Sequence, residues 1–305
     1  MTDKGYFKGI AAAIAAALLW SLSGIFTRLM DSTNPWQLNA WRGLSTGILL
    51  AIYLGFVYRR RLPAQWRKIE PRALLACGGF FAAGSTFYLT ALEGASVANV
   101  SCLTASSPVF AALLAWIFLR ERADARIWLA TILAIGGIAV IFMQGVAFNK
   151  QNLAGNFVAL LTAFCFAGQT VALRRYRSVD MVPAIAVGAV AVFLILGVAA
   201  GNLPISLHDL KIVLLMGAVQ LAAPIALYVY AARHVSAMQL SLISLLDVVF
   251  NPLWAWIGVG EVPERNSFIG GAVIVGAVLL TLARRPQRQP AAAQLSRRQG
   301  VGFGP

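Results

Sequence analysis

Residues 91–121 read ALEGASVANVSCLTASSPVFAALLAWIFLRE, and residues 231–261 read AARHVSAMQLSLISLLDVVFNPLWAWIGVGE. Shifted by 140 positions, the two segments share 10 identities over 31 residues, among them Trp116 with Trp256. Composition alone would give about three matches in so apolar a chain, so the segments indicate an internal repeat. Five hydrophobic segments separate equivalent points. Because that number is odd, the two halves enter the bilayer from opposite sides.

The composition is that of a membrane protein. The chain is 59% hydrophobic and 12% charged, with a mean hydropathy of +0.76, whereas soluble domains carry roughly one-quarter charged residues. Apolar windows recur along the sequence, and each approaches the roughly 20 residues that a helix needs to cross a bilayer. One of them contains Asp247 and the others contain no charged residue; the windows are 9–27, 43–58, 73–92, 94–119, 127–149, 152–173, 181–207, 212–232, 235–260 and 266–283.

These windows predict an all-α integral membrane protein with ten transmembrane helices, arranged as two inverted-topology five-helix repeats. We place the first repeat at residues 7–145 and the second at residues 152–285. Residues 286–305 are rich in Arg, Gln, Ala and Gly, and we expect them to form a disordered, basic cytoplasmic tail. The first window is longer than the apolar region of a usual signal peptide, so we interpret it as a retained first helix.

The lysines and arginines indicate the orientation. We call the membrane side that holds the N-terminus side one and the other side two. Of the 25 basic residues, 20 fall on side one, and the loops of side two hold Arg28, Lys150, Lys211 and Arg265. By the positive-inside rule side one is cytoplasmic, and both termini lie there. The net charge of +14 is spread over short loops, so we predict no nucleic-acid partner.

We expect neither a cofactor nor a metal. The three cysteines, Cys77, Cys102 and Cys165, lie within predicted spans and lack the spacing of metal ligands. A nucleotide-binding Gly-x₄-Gly-Lys-[Ser/Thr] loop is absent from the sequence. An integral-membrane enzyme on a lipid-linked substrate would need clustered catalytic groups at membrane depth. Since His208 and His234 fall at loop level on opposite sides, this enzyme is an alternative only, and we predict that the chain is not an enzyme.

The ends of helices 4 and 9 resemble a known family. Residues 107–121 read SPVFAALLAWIFLRE and residues 246–261 read LDVVFNPLWAWIGVGE; a short turn and a glycine-bearing helix follow each. The chain resembles the EamA family of the drug/metabolite transporter superfamily over nearly its whole length. The resemblance implies ten helices in two repeats, with helices 1, 3, 4, 6, 8 and 9 around a central cavity. The sequence departs from the family at Asp247-Val248, where the second repeat often reads Glu-Pro.

A transporter binds its solute near the membrane midplane, through side chains that replace the solute's hydration. Polar and aromatic residues at mid-span depth are therefore the candidates. A single Ser or Thr in a membrane helix also commonly bonds its own backbone, which is the structural alternative. The candidate cavity residues are Trp20, Ser23, Phe81, Tyr88, Asn99, Ser101, Phe166, Gln169, Gln220, Tyr228, Gln239 and Ser244.

Two charged residues fall within predicted spans. Asp247 is costly there unless it is paired, hydrated or protonated, so it is a candidate for proton or cation coupling, for anchoring a solute amine, or for a structural pair. Arg42 lies near the end of helix 2, where it can bind a substrate carboxylate or extend to the membrane surface. Glu121 and Glu261 end helices 4 and 9, and we expect them to organise the turns there.

We therefore predict a secondary transporter that moves a small organic metabolite, an amino acid or a related compound, by alternating access. Export across a bacterial inner membrane is the commonest role in the family that the chain resembles. An importer of an aromatic vitamin such as riboflavin is the alternative within the same class. The expected partners are a small-molecule solute and membrane lipid. Small residues at four-residue spacing in helices 5 and 10, such as Ala130 with Ala134 and Ala272 with Gly276, permit close packing within the chain or in a homodimer.

Overall fold

The computed structural model describes residues 3–31, 34–121, 124–143, 153–260 and 263–282. In this part of the chain all regular structure is helical. Nine helical segments of these residues are long and apolar enough to cross a membrane, and a shorter apolar helix lies where the fifth span is predicted. The predicted all-α membrane fold is confirmed. In chain order, spans 1 to 10 are Lys4–Arg28, Pro35–Trp66, Pro71–Gly94, Val97–Leu119, Ala125–Ile141, Leu153–Arg175, Val182–Ala200, Leu207–Ala232, Ala237–Gly258 and Arg265–Leu282. The predicted tail, residues 286–305, lies outside the described residues.

The contacts between spans occur in equivalent pairs. When two spans pack together, the two spans that lie five places away in the chain pack together as well. Spans 2 and 7, 4 and 9, and 5 and 10 pack against each other. Span 3 packs on span 6 as span 8 packs on span 1, and span 4 packs on span 6 as span 9 packs on span 1. This is the arrangement of two inverted repeats.

Local interruptions of the helices are repeated as well. Spans 3 and 8 each contain a π-helical segment, at Leu75–Gly79 and Gly217–Ala222. Spans 4 and 9 each begin at a serine N-cap, where Ser96 and Ser236 accept a hydrogen bond from the backbone three residues on. Each of these two spans then breaks about eight residues later, after Thr104 and after Ser244. The interruptions therefore belong to the repeated architecture.

One break has no counterpart. Span 1 consists of two helices, Asp3–Trp20 and Ser23–Arg28, whereas span 6 is a single helix, Leu153–Arg175. At the break, the Ser21 hydroxyl donates to the carbonyl of Leu18 at 2.6 Å. Serine side chains that bond the preceding turn compete with the helical ladder and bend helices. The two repeats consequently differ at their first span.

Spans 5 and 10 approach each other through glycine. A Cβ atom added at Gly270 would lie 2.2 Å from the carbonyl oxygen of Gly137, so only residues without a side chain fit at this crossing. Of the predicted small-residue pairs, Ala130 and Ala134 are fully buried. Ala272 and Gly276, in contrast, are exposed. The close packing within the chain thus uses the glycines and the span 5 alanines.

Candidate functional site

Three aromatic rings from spans 1, 6 and 8 meet inside the bundle. The ring centroids of Trp20 and Tyr228 are 4.9 Å apart. The Phe166 centroid lies 6.2 Å from that of Trp20 and 6.0 Å from that of Tyr228. Aromatic pairs of this kind contribute about 0.5–1.5 kcal/mol each beyond their buried area. These residues, the aromatic cluster, join the first repeat to the second.

The break in span 1 gives the aromatic cluster a polar neighbour. The amide of Gln220 donates from Nε2 to the backbone carbonyl of Trp20 over 3.2 Å. In an unbroken helix that carbonyl would accept from the backbone four residues on. Because lipid offers no hydrogen bonds, a carbonyl released by a break needs a partner from the protein. The Oε1 atom of Gln220 is buried without a hydrogen-bond partner among the described residues.

The hydroxyl of Tyr228 connects spans 6 and 8. It lies 2.8 Å from the hydroxyl of Thr170, and the side chain of Ser244 on span 9 lies nearby. Ser244 donates to the carbonyl of Ser241 at 2.6 Å. Tyr228 is 3% exposed, so its ring is held in place by packing and by its hydroxyl together.

Asp247 opens the second helix of span 9, Leu246–Val259. Its side chain is half-buried, and Oδ1 is buried without a hydrogen-bond partner in the part of the chain that the structure describes. A charged carboxylate at membrane depth is unfavourable without a partner. The carboxyl group is therefore free to take a proton, a cation or a solute amine.

A cavity of about 450 Å³ lies at the side-two ends of spans 1, 2 and 8. We call it the side-two cavity; its lining residues are Thr27, Arg28, Met30, Pro35, Leu38, Asn39, Arg42 and Met216. Span 2 begins at Pro35, so Arg42 lies roughly 10 Å along the helix from that end, at ~1.5 Å per residue. This distance corresponds to about two turns of helix.

Tyr88 relates the two intramembrane charges. Tyr88 of span 3 lies within electrostatic range of both Arg42 of span 2 and Asp247 of span 9. Arg42 and Asp247 do not form an ion pair with each other: neither has an ion pair within the described residues. Both charges are consequently available to an outside ligand.

Ion pairs and hydrogen bonds join the repeats at side one. Arg174 of span 6 pairs with Glu121, which follows span 4, over 3.0 Å from Nε to Oε1. Asp180 accepts from the hydroxyl of Tyr58 at 2.7 Å and pairs with Arg233 at 3.3 Å. These five residues form the side-one network. The expected role of Glu121 in organising its turn agrees with this contact, and Glu261 lies outside the described residues.

The structure brings only some of the candidate cavity residues together. Trp20, Phe166, Gln220 and Tyr228 meet at the aromatic cluster. Ser244 lies near the Tyr228 hydroxyl, and Tyr88 lies within electrostatic range of the two charges. Gln169 is buried and its amide makes no hydrogen bond to another described residue. Phe81 packs within the apolar core, and Ser101 is half-buried.

Other candidates tie helices to one another. Asn99 donates to Asn156 across spans 4 and 6 at 2.9 Å. Gln239 donates from its amide to Tyr6 at 2.8 Å and to the carbonyl of Thr281 at 3.1 Å.

Spans 1 and 9 are joined on their side-two halves. Ser23 accepts a hydrogen bond from Asn251 at 3.1 Å. The nearby Ser21 hydroxyl accepts from the indole of Trp254 at 2.8 Å. Asn251 is not among the residues predicted from the sequence, although an amide in a membrane helix is itself a signal for such a bond.

One group of described residues has the spacing of a metal site. The side-chain ligand atoms of Asp31, His208 and Asp209 lie within 4.8 Å of one another at side two. The carboxylate of Asp209 accepts the backbone N–H of Asp31 at 2.9 Å, and His208 Nε2 lies 3.1 Å from the carbonyl of Leu29. These contacts tie the segment that follows span 1 to the start of span 8.

Comparison with known proteins agrees with the fold. The pseudopaline exporter CntI of Pseudomonas aeruginosa (strain UCBPP-PA14) is 27% identical over 89% of this chain and 94% of its own length. Human solute carrier family 35 member G1 is 25% identical over 88% of this chain and 77% of its own. A solved crystal structure superposes with a TM-score of 0.74 at 18% identity, covering 98% of this chain and 100% of the other. The model of the EamA-like transporter family matches residues 7–143 and 153–283. The chain therefore belongs to the EamA-like transporter family and is a multi-pass membrane transporter of the drug/metabolite superfamily.

Proposed function

We propose that this transporter exports an amino acid or a related small metabolite across a bacterial inner membrane by alternating access. The observation that carries the proposal is the unpartnered carboxyl of Asp247 in span 9, which lies within electrostatic range of Tyr88 of span 3. The two residues come from different repeats. A solute or proton held between them would be handed from one side to the other as the repeats rock.

The size of the side-two cavity supports a solute of this class. Its volume of about 450 Å³ falls within the roughly 300–1,000 Å³ of sites for small molecules. The direction of transport is proposed from the relatives: the Pseudomonas aeruginosa relative is named as an exporter of pseudopaline. At 27% identity we carry over the direction and not that solute.

The orientation follows from the basic residues, with side one cytoplasmic and both termini inside. In this orientation the side-one network and the aromatic cluster close the cytoplasmic side, and the side-two cavity faces outward. This is the state from which an exporter releases its solute. The reverse movement would separate Arg174 from Glu121 and open the cytoplasmic side.

Import of a flat aromatic vitamin such as riboflavin is the second candidate. The half-buried faces of Trp20 and Phe166 favour it, because aromatic rings stack on such side chains. An exported amino acid would use the same rings for an apolar side chain. The two candidates differ in direction and in the need for a charged group on the solute.

Reconstitution into liposomes tests the proposal. Uptake of labelled amino acids, related metabolites and riboflavin is measured in both gradient directions, with and without a pH gradient. We expect flux of an amino-acid-like solute that follows the pH gradient, and loss of this coupling in Asp247→Asn. Asp124→Asn, which removes an exposed carboxylate at side one, is the matched control. The absence of flux for every solute in both directions would refute the proposed function.

A further inference from the structure

We propose that Arg42 is the docking site for a carboxylate of the solute, so that the solutes of this transporter are acids or zwitterions of amino-acid size. The inference deepens the proposed transport function and rests on it. It starts from the position of Arg42, which lines the side-two cavity roughly 10 Å inside span 2.

The guanidinium of Arg42 makes no direct polar contact with the described residues. It has no ion pair and no hydrogen bond to any residue in the ranges that the structure describes. An arginine at membrane depth is unfavourable unless its charge is compensated, and such residues characteristically mark solute or ion pathways. An anion that enters the cavity from side two would provide this compensation.

The polar neighbours of Arg42 already have partners. Arg28 donates from Nη1 to the carbonyl of Gly24 at 3.1 Å, and Asn39 donates to the carbonyl of Pro35 at 2.8 Å. Arg28 lies nearer the end of span 1, where its positive charge draws anions toward the cavity. Among the described lining residues, Arg42 is thus the cation with all its donors available.

One free guanidinium favours a carboxylate over a phosphate. Its planar fork matches the two oxygens of a carboxylate in a bidentate contact. A phosphate carries a larger charge and more acceptor oxygens, which one fork leaves unsatisfied. Tyr88 of span 3 lies within electrostatic range of both Arg42 and Asp247, so an amine on the same solute would be attracted toward Asp247.

Protection from chemical modification tests the docking site on the wild-type protein. The purified chain in phospholipid-free detergent is treated with phenylglyoxal, which modifies arginines, and the modified peptides are quantified by mass spectrometry. The probes are leucine and phenylalanine, each beside its amide, and inorganic phosphate. We expect either acid to slow modification of Arg42 about tenfold, the effect of a charged hydrogen bond, and the amides to have little effect.

Arg265, which is exposed at side two, is the internal control and should react equally under all conditions. Equal protection by acid and amide, or none by either acid, would overturn the inference. Protection by phosphate alone, or only after phospholipid is added, would also overturn it, because the group bound would then be a phosphate or a lipid headgroup.

Flux measurements separate the inference from the proposed function. In proteoliposomes the wild type should prefer the acids to the amides, Arg42→Gln should lose that preference, and Arg265→Gln should keep it. Arg42→Lys retains the charge without the fork and should give an intermediate result. If no solute moves but the acids still protect Arg42, transport fails and the carboxylate site stands. If solutes move without regard to the carboxylate, transport stands and the inference fails.

Discussion

Arg174 Nε lies 3.0 Å from Glu121 Oε1, and this contact joins span 6 of the second repeat to the end of span 4 of the first. Only 9% of the Arg174 side chain and 23% of the Glu121 side chain are exposed. Arg174 also donates to the carbonyl of Arg233 at 3.0 Å. The second carboxylate oxygen of Glu121 is buried without a hydrogen-bond partner among the described residues. Arg174 thus has several hydrogen-bond partners, whereas one carboxylate oxygen of Glu121 has none among the described residues.

Glu121→Gln should destabilise the protein by roughly 3 kcal/mol, because it leaves the buried guanidinium of Arg174 without its counter-charge. The measurement is the thermal unfolding midpoint in detergent. Arg175→Gln removes the next arginine, which is exposed, and should leave the midpoint nearly unchanged. The double variant Glu121→Gln/Arg174→Gln should recover part of the loss. Equal effects of the Glu121 and Arg175 substitutions would contradict the assignment.

Gly270→Ala should weaken the packing of span 10 on span 5. The new Cβ would lie 2.2 Å from the carbonyl oxygen of Gly137, and backbone cannot move aside as a side chain can. Overpacking of this kind costs about 1–3 kcal/mol. Gly276→Ala is the matched control on the same helix, since nothing lies within 4 Å of a Cβ there. The thermal midpoint should fall for the first variant only. A similar fall in both would contradict the packing explanation, because Ala has a higher helix propensity than Gly at either position.

Trp20→Ala should destabilise the closed side-one state, because the aromatic cluster loses its contacts to Phe166 and Tyr228. Trp→Ala changes at buried sites cost roughly 3–5 kcal/mol, and Trp20→Phe should preserve most of the packing. Cys77, Cys102 and Cys165 are first replaced by alanine, and the measurement is the alkylation rate of a cysteine introduced at Ser244, which should rise from side one in Trp20→Ala. Trp116→Ala, at an exposed position of span 4, should leave the rate as it is.

Gln239→Leu should lower stability and leave solute preference unchanged. Its amide bonds Tyr6 and the carbonyl of Thr281, so the substitution removes buried hydrogen bonds of about 1 kcal/mol each. Gln169→Leu should leave stability unchanged and alter solute preference, because the amide of Gln169 bonds no other described residue. Thermal midpoints and competition between labelled solutes measure the two properties. A change of solute preference in Gln239→Leu would mean that Gln239 contacts the solute after all.

The sequence predicted the fold well because the spans appear as long apolar windows and the repeat appears as one pair of segments that can be aligned. Depth within a span was harder to predict. Asn99 and Gln239 look like mid-span polar residues in their apolar windows, but each lies in the first turn after a serine N-cap, where it reaches a neighbouring helix. The partner that decides the role of a polar side chain comes from another span, which no window along the sequence reveals.

The break in span 1 was likewise not predictable. Ser21 and Leu22 follow an alanine- and leucine-rich run, and Ser23 and Gly24 come directly after them. Serine and glycine weaken a helix without fixing where it breaks. The position of the break also depends on span 8, since the amide of Gln220 donates to the released carbonyl of Trp20. Arg42 was recognised as a charge within the membrane, and its position in a cavity follows from spans 1 and 8 beside it.

Because span 1 is broken and span 6 is continuous, the inward-open and outward-open forms of this carrier are not mirror images. The empty carrier then spends unequal times in its two forms, and the half-saturating concentrations measured from the two faces of the membrane differ accordingly. The net direction of transport is still set by the gradients alone. The break in span 1 thus favours one of the two conformations of the empty transporter, although the two repeats are related by a two-fold axis.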